Sequence, residues 1–177
     1  MFTIPVNAHV QLKFPEIHDA TALFTLVDAD RPGLGRFLPW VEKTKTVEDE
    51  ARFLHFVREQ VSQDQLWAAV ILVEGQAAGM IDIHQLDAEN RTGEIGYWLG
   101  KTYRGRGVVT AALAAVERVA FRELALTRLV LVAANTNTAS QAVAQRRGFQ
   151  QEGILRQALV LPEGVSDAVL YSKLVSD

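Results

Sequence analysis

Three features of the sequence predict an α/β protein folded as one domain. The stretch 93–134 reads as strand, glycine turn, long apolar helix and buried strand, the pattern of a βαβ unit. Segments with a two-residue apolar period and segments with a helical one succeed one another along the rest of the chain. No repeat, low-complexity tract or Gly/Ser/Pro-rich linker divides residues 1–177. With 177 residues and 49% hydrophobic side chains, such a chain buries roughly 70% of the surface it exposes when unfolded, so its core needs no metal, disulfide or partner.

Taken in order, residues 10–14 alternate as a first strand does. In 18–30, Ala22, Leu23, Leu26 and Val27 share one helical face, and Arg31-Pro32-Gly33 ends that helix. Thr46-Val47-Glu48-Asp49 resembles a capping box. Phe53, Phe56, Val57 and Val61 follow at three- and four-residue steps, so an amphipathic helix is expected there. Strands are expected at 66–73 and 77–84 around the hairpin turn Glu74-Gly75-Gln76, and at 93–99 with Glu94 and the aromatic pair Tyr97-Trp98. The alanine-rich stretch 108–124 reads as a helix packed between layers, and 129–134, apolar on both faces, as an interior strand. A short helix over 137–147 stops at Gly148, and 149–161 and 168–175 are closing strands around Pro162-Glu163-Gly164. Loops are expected near 31–35, 86–93 and 161–166.

Composition excludes several functions. No cysteine is present, which removes disulfide scaffolds, thiolate zinc sites, iron–sulfur clusters and cysteine acyl-enzymes. Eighteen basic against 21 acidic residues leave a net charge of −3, too balanced for a protein that coats a phosphate backbone, so no nucleic-acid partner is expected. Met1 to Pro5 carry no basic leader, and no apolar run approaches the ~20 residues that span a bilayer. A cytoplasmic protein with no membrane partner is expected. His9, His18, His55 and His84 are scattered, and only Asp82 and His84 closely share a strand face, so no metal site is expected. Phe37, Trp40 and Trp67 either wall a substrate groove or belong to the core, the commoner place for large aromatics.

Chemistry first becomes visible at Tyr103-Arg104-Gly105-Arg106-Gly107-Val108-Val109-Thr110. Glycines at a strand-to-helix turn let backbone amides approach an anion, and the helix dipole adds to the attraction. The nucleoside-triphosphate P-loop requires lysine followed by Ser or Thr, where this turn has Val108-Val109. The dinucleotide fingerprint requires a third glycine where Thr110 stands, after a first strand, and this turn comes late in the chain. Both cradles are excluded.

What remains, an arginine and glycines two apart immediately before a helix, resembles the pyrophosphate-binding signature of the GCN5-related N-acetyltransferase (GNAT) superfamily. Asn137-Thr138-Ala139-Ser140 and Gly148-Phe149-Gln150-Gln151-Glu152-Gly153 follow in the order and spacing of such acetyltransferases. Phe37-Leu38-Pro39-Trp40, Glu94-Ile95-Gly96-Tyr97-Trp98-Leu99 and Asp167-Ala168-Val169-Leu170-Tyr171-Ser172 extend the resemblance over nearly the whole chain. Together they look like the RimJ/RimL branch, which acetylates the N-termini of ribosomal proteins. The resemblance implies an α/β (α+β) GNAT fold: a mixed, mostly antiparallel sheet with a splayed central parallel strand pair, helices on both faces, and acetyl-CoA as cosubstrate.

By that resemblance the pyrophosphate lies on the amides of Gly105, Arg106, Gly107, Val108, Val109 and Thr110, with Val109 standing where glycine or alanine is more usual. The pantetheine arm pairs with the main chain of Trp98 and Leu99. Arg104 and Arg106 either reach phosphate oxygens or are solvated. Asn137 either caps the next helix or bonds the pantetheine. Ser140 either belongs to that cap or sits near the sulfur and protonates the leaving thiolate; many relatives use a tyrosine for this, where this chain has Ala144. Glu94, acidic on an otherwise apolar strand, is the expected base, set against a role as an orienting carboxylate. Glu152 is a second carboxylate or a partner for Arg156, and Leu159 stands where the RimL type carries an acid. Without cysteine, transfer is expected to be direct within a ternary complex. The leading acceptor is a protein N-terminal amine, ribosomal proteins among the candidates. Its rivals are a small amine such as a polyamine or amino-sugar, and a non-catalytic acyl-CoA-binding module suggested by Ala144 and Leu159. A homodimer through the last strand or the helices is compatible with the sequence.

Overall fold

A computed structural model describes residues 3–177; Met1 and Phe2, part of the stretch read above for a leader, lie outside the described residues. β1 (Thr3–Pro5) pairs antiparallel with β2 (Val10–Lys13). Only the second is visible in the sequence, because three residues are too few to show a period. After a 3-10 turn, α1 (Ala20–Asp28) buries Ala20, Leu23 and Val27. The loop expected next is instead a short helix, α2 (Arg31–Gly35). Proline is tolerated in a helix's first turn, where its missing N–H has no bond to lose, and buried Leu34 anchors the segment. The Arg31 guanidinium fixes it further, donating to the carbonyls of Val41 at 3.0 Å and Thr44 at 2.8 Å.

α3 (Val47–Ser62) begins at the expected capping box: Thr46 Oγ1 accepts from Asp49 N at 3.2 Å, and Asp49 Oδ2 accepts from Thr46 N at 2.9 Å. Its inward stripe is Glu50, Leu54 and Val57, whereas Phe53 and Phe56 are exposed. The stripe is displaced from the sequence reading because a carboxylate occupies one of its places. β3 (Trp67–Val73), β4 (Gln76–Asp87) and β5 (Thr92–Leu99) extend the antiparallel sheet. Glu74 and Gly75, both left-handed at φ 48° and 76°, form the tight turn between β3 and β4.

α4 (Val108–Arg118) does not run to residue 124 as expected; it widens into a π-turn over Val119–Glu123. Leu124 N donates to Val119 O at 3.0 Å, and Leu126 N to Ala120 O at 2.9 Å. The wide turn keeps Val119 and Ala120 buried and aims the chain at β6 (Arg128–Ala134). α5 (Thr138–Arg146), β7 (Gln150–Leu161) and β8 (Gly164–Leu174) complete the order, and the loop expected over 161–166 shrinks to Pro162 and Glu163.

Among the described residues the eight strands form one sheet in the order β1-β2-β3-β4-β5-β6-β8-β7, antiparallel throughout except for β5 beside β6. One face, carrying Ile71, Ile81, Ile83, Leu129 and Leu131, packs under α4 and α5. The other, carrying Val70, Leu72, Met80 and Trp98, packs under α1, α2 and α3. A buried carboxylate ties the first of these layers together. Glu117 of α4 accepts from Arg147 Nε at 2.9 Å, Arg147 Nη2 at 2.6 Å and Lys173 Nζ at 3.0 Å, so α4, the end of α5 and β8 share one ion cluster.

Glu50 has no such partner among the described residues and is 2% exposed. Desolvation raises its carboxyl from the ordinary range to about 7. The fold therefore holds that proton more tightly than the unfolded chain does. The stability tied to neutral Glu50 is complete below the ordinary carboxylate range and is lost as pH rises toward and through 7. Glu50→Gln is expected to change stability little at about pH 5 and to raise it by about 2–3 kcal/mol at about pH 8, measured by urea unfolding. An equal gain at both pH values would contradict a desolvated acid.

Candidate active site

β5 and β6 are paired at only three places, Thr92 with Arg128, Gly93 with Leu129 and Glu94 with Val130. Beyond Glu94, β5 stays with β4 as far as Gly79 opposite Leu99, and β6 stays with β8 as far as Ala134 opposite Ala168. The sheet thus parts into two halves. Gly100 N donates to Ala78 O at 2.8 Å, and successive peptide groups of a strand point to opposite sides. The main-chain groups of Ile95, Tyr97 and Leu99 accordingly turn toward the gap; the Leu99 carbonyl meets Arg104 Nε there at 2.9 Å. Those of Trp98 turn toward β4. The register thus leaves the Trp98 main chain committed to β4 and that of Tyr97 facing the gap, while the buried Trp98 ring lies 5.9 Å from that of Trp40. Gly79 permits the close approach, since a Cβ there would lie 2.1 Å from Trp98 O.

A cavity of about 730 Å³ runs through the gap. Leu34, Phe37 and Leu38 wall it from one side, and Val109, Asn137 and Ser140 from the other. At one mouth Gly105 and Gly107 take φ values of 72° and 73°, which favour glycine, with open space where a Cβ would stand. The amides of 105–110 have no hydrogen-bond partner among the described residues; the first bond of α4 is Ala111 N to Gly107 O at 3.0 Å. Val109 packs its side chain against the core, which leaves its amide available. Unpartnered amides at the start of an eleven-residue helix suit a phosphate group.

The arginines divide. Arg104 is committed to the fold: besides Leu99 O, its Nη2 lies 2.7 Å from Asp30 Oδ2, an ion pair without hydrogen-bond alignment. Gly33 makes room for that carboxylate, because a Cβ there would lie 2.5 Å from both its oxygens. Arg104 thereby ties the end of β5 to α2 and sets the glycine turn. Arg106 is exposed and has no ion-pair partner among the described residues. Arg146, which the sequence does not distinguish from its neighbour Arg147, lines the cavity without an ion-pair partner among the described residues.

Asn137 is the N-cap of α5, its Oδ1 accepting from Ser140 N at 3.2 Å, and it also lines the cavity. Ser140 Oγ lies 2.7 Å from the Tyr97 hydroxyl, and both residues line the cavity. Burial pushes the Tyr97 phenol up to about 12, the serine contact opposing weakly. The sequence marks Tyr97 only as half of an aromatic pair with Trp98, although strand alternation puts it on the opposite face from Glu94 and Trp98, the side of α5. Ala144 is fully buried and only packs.

Glu94 sits where the strands part and is not in the cavity wall. Its Oε1 is 3.5 Å from His84 Nε2, and His84 Nδ1 is 2.6 Å from Asp82 Oδ1. Asp82 first and Glu94 second raise the imidazole to about 10 against the opposing effect of burial, so the ring is a cation at neutral pH. Gly96 leaves the space: a Cβ there would lie 3.0 Å from both Asp82 oxygens. Glu152 does not pair with Arg156. It takes both Nη atoms of Arg128, at 2.6 and 2.5 Å, and the Ser172 hydroxyl at 2.6 Å, which lower its carboxyl to about 2. Glu16, His18 and Asp19 crowd together, but Lys13 Nζ stands among them at 3.2, 3.3 and 2.5 Å and supplies the positive charge. Phe37 is in the cavity wall, while Trp40 and Trp67 pack against the two cores.

Residues 9–150 match the acetyltransferase (GNAT) domain family. The chain belongs to this family. A putative ribosomal N-acetyltransferase of Bacillus subtilis, YdaF, is 36% identical over 175 residues, 98% of this chain and 96% of its own. A ribosomal-protein-serine acetyltransferase of Escherichia coli is 29% identical, covering 98% of this chain and 97% of its own. A solved structure of RimL, a ribosomal L7/L12 α-N-protein acetyltransferase in complex with coenzyme A, is similar with a TM-score of 0.95 at 25% identity over 98% of each chain. This GNAT acetyltransferase has, among its described residues, no helix long and apolar enough to cross a membrane.

The cluster at the base of the gap is open to a direct check. The His84 ring of the acetyltransferase is expected to stay protonated at about pH 8 in an NMR titration, and its pKa to fall by about one unit or more in Asp82→Asn. A ring already neutral at about pH 8 would contradict the cluster.

Proposed function

We propose that the protein, with 1–177 acting as one acetyltransferase domain, moves the acetyl group of acetyl-CoA directly onto the N-terminal α-amino group of a protein, ribosomal proteins being the favoured acceptors. The observation that carries this reading is the gap in the sheet beyond Glu94 with the unpartnered amides of 105–110 at its mouth. A pyrophosphate on those amides and a pantetheine arm along the unpaired edge of β5, bonded to the main chain of Tyr97 and Leu99, use both features at once. Arg106 and Arg146 are available to further phosphate oxygens, and Asn137 Nδ2, which its cap does not use, to the arm. The acceptor class is supported by the names of the two relatives matched over 98% of this chain, both ribosomal.

Bound there, acetyl-CoA supplies an activated thioester carbonyl. Leu34, Phe37, Leu38 and Trp98 form the apolar wall through which an amine approaches, and they limit water around it. A peptide α-amine, with a pKa of ~7.7–8.0, is already neutral in roughly a tenth of molecules at pH 7. Glu94, held by His84 below the gap, accepts the remaining proton through solvent in the cleft. Ser140 faces the sulfur from α5 and donates toward it as the C–S bond breaks. No side chain is assigned an acetyl group, so the transfer is a single displacement.

Turnover with Ser- and Ala-starting peptides is expected to exceed that with spermidine by about tenfold or more in kcat/KM. Preference for spermidine would replace the acceptor with a small amine, and coenzyme A binding without turnover of any acceptor would overturn the reading. Glu94→Gln is expected to lower kcat by ~10²-fold with coenzyme A affinity nearly intact; unchanged turnover would remove Glu94 from the base role.

A further inference from the structure

Tyr97 on β5 and Ser140 in the first turn of α5 reach the cavity from the two sides of the gap, and their hydroxyl oxygens are 2.7 Å apart. The Ser140 amide is committed to Asn137 Oδ1, which fixes the serine backbone and leaves its hydroxyl hydrogen as the free variable. A serine hydroxyl both donates and accepts, so the neighbour that donates to it decides where its own hydrogen points. Tyr97 is suited to be that donor. Burial pushes its phenol up to about 12, so it keeps its hydrogen throughout the neutral range. The rival acceptor for that hydrogen, Ser140 O, is more distant at 3.4 Å. One turn along α5, Ala144 offers no competing polar group.

We propose that Tyr97 is a positioning residue for the leaving sulfur: its phenol donates to Ser140 Oγ and so turns the serine hydrogen toward the thiolate. This rests on the reading of the cavity as an acetyl-CoA site. In the transfer, the amine nitrogen bonds to the acetyl carbon, the C–S bond breaks and its electron pair stays on sulfur. The amine proton leaves through Glu94 and solvent, and solvent later protonates the thiolate. Ser140 holds the sulfur's charge through one hydrogen bond while Tyr97 compensates the serine oxygen, and neither hydroxyl is consumed.

Coenzyme A bound without an acceptor reports the arrangement, because ultraviolet absorbance distinguishes its thiolate from its thiol. The bound thiol is expected to titrate about one unit lower in the wild type than in Tyr97→Phe or Ser140→Ala. Tyr97→Phe should add no further shift in the Ser140→Ala background. Phenylalanine preserves the ring's packing, so a purely structural tyrosine would leave the thiol unmoved. With a turned-over acceptor, Tyr97→Phe is expected to lower kcat about tenfold with the KM for acetyl-CoA within about twofold. Equal thiol pKa values in wild type and Tyr97→Phe, or additive shifts in the double variant, would overturn the proposal. Failure of the wild type to bind coenzyme A would instead overturn the reading of the cavity.

Discussion

The structure depends on a backbone constraint: two parallel strands that pair at their beginnings stop pairing after Glu94. Main-chain N–H and C=O groups inside a protein must find partners, and a strand parted from its neighbour has a row of them to satisfy. The chain answers for one end of the row itself, with Arg104 on the Leu99 carbonyl. The rest face a cavity and are answerable by solvent or by an extended ligand. Such a gap persists only if the flanking halves cannot close over it. Gly79 lets β4 hold the end of β5 at close range, while Glu117 fastens α4 to Arg147 and to Lys173 of β8 on the far side.

Charge is distributed to the same end. Arg104, Arg128, Arg147, Lys13 and Lys173 each meet a carboxylate within the fold. Pairs of this kind position helices and strands and are spent before any ligand arrives. In the proposed reading, phosphate recognition falls mainly to the main-chain amides of 105–110, whose dipoles need no countercharge and add nothing to net charge. An anion site can therefore exist in a chain of net charge −3.

How far the sequence reached follows from the range of each signal. Thr46 with Asp49, Glu74-Gly75 and Gly105 with Gly107 are local patterns that act through neighbouring atoms, and each appears in the structure where it was read. The βαβ unit was legible because apolar periods and a glycine turn coincide over forty or so residues. α2 was not, since a segment with one proline and two glycines reads as a breaker unless the burial of Leu34 is known. The partners of Glu152 and Arg104 were missed for a different reason. Arg128 and Asp30 are brought in by the sheet order and the helix layer, and no spacing in the chain encodes that. Tyr97 lay between, readable from strand parity but not from composition.

That parity joins the pieces. Along β5 the side chains of 94, 96 and 98 face the α1–α3 layer, and those of 95, 97 and 99 face α4 and α5. The proposed proton acceptor with its histidine therefore lies on one side of the sheet, and the hydroxyl pair proposed to meet the sulfur lies on the other. Between them, the peptide groups of 97 and 99 point into the gap. One strand thus separates the proposed proton acceptor from the hydroxyl pair proposed to meet the sulfur. A slip of one residue in the β4–β5 register would exchange the faces and turn the wrong peptide groups into the gap together. The close fit of Gly79 against Trp98 O opposes such a slip, because any side chain brought to that place would collide with the β5 backbone.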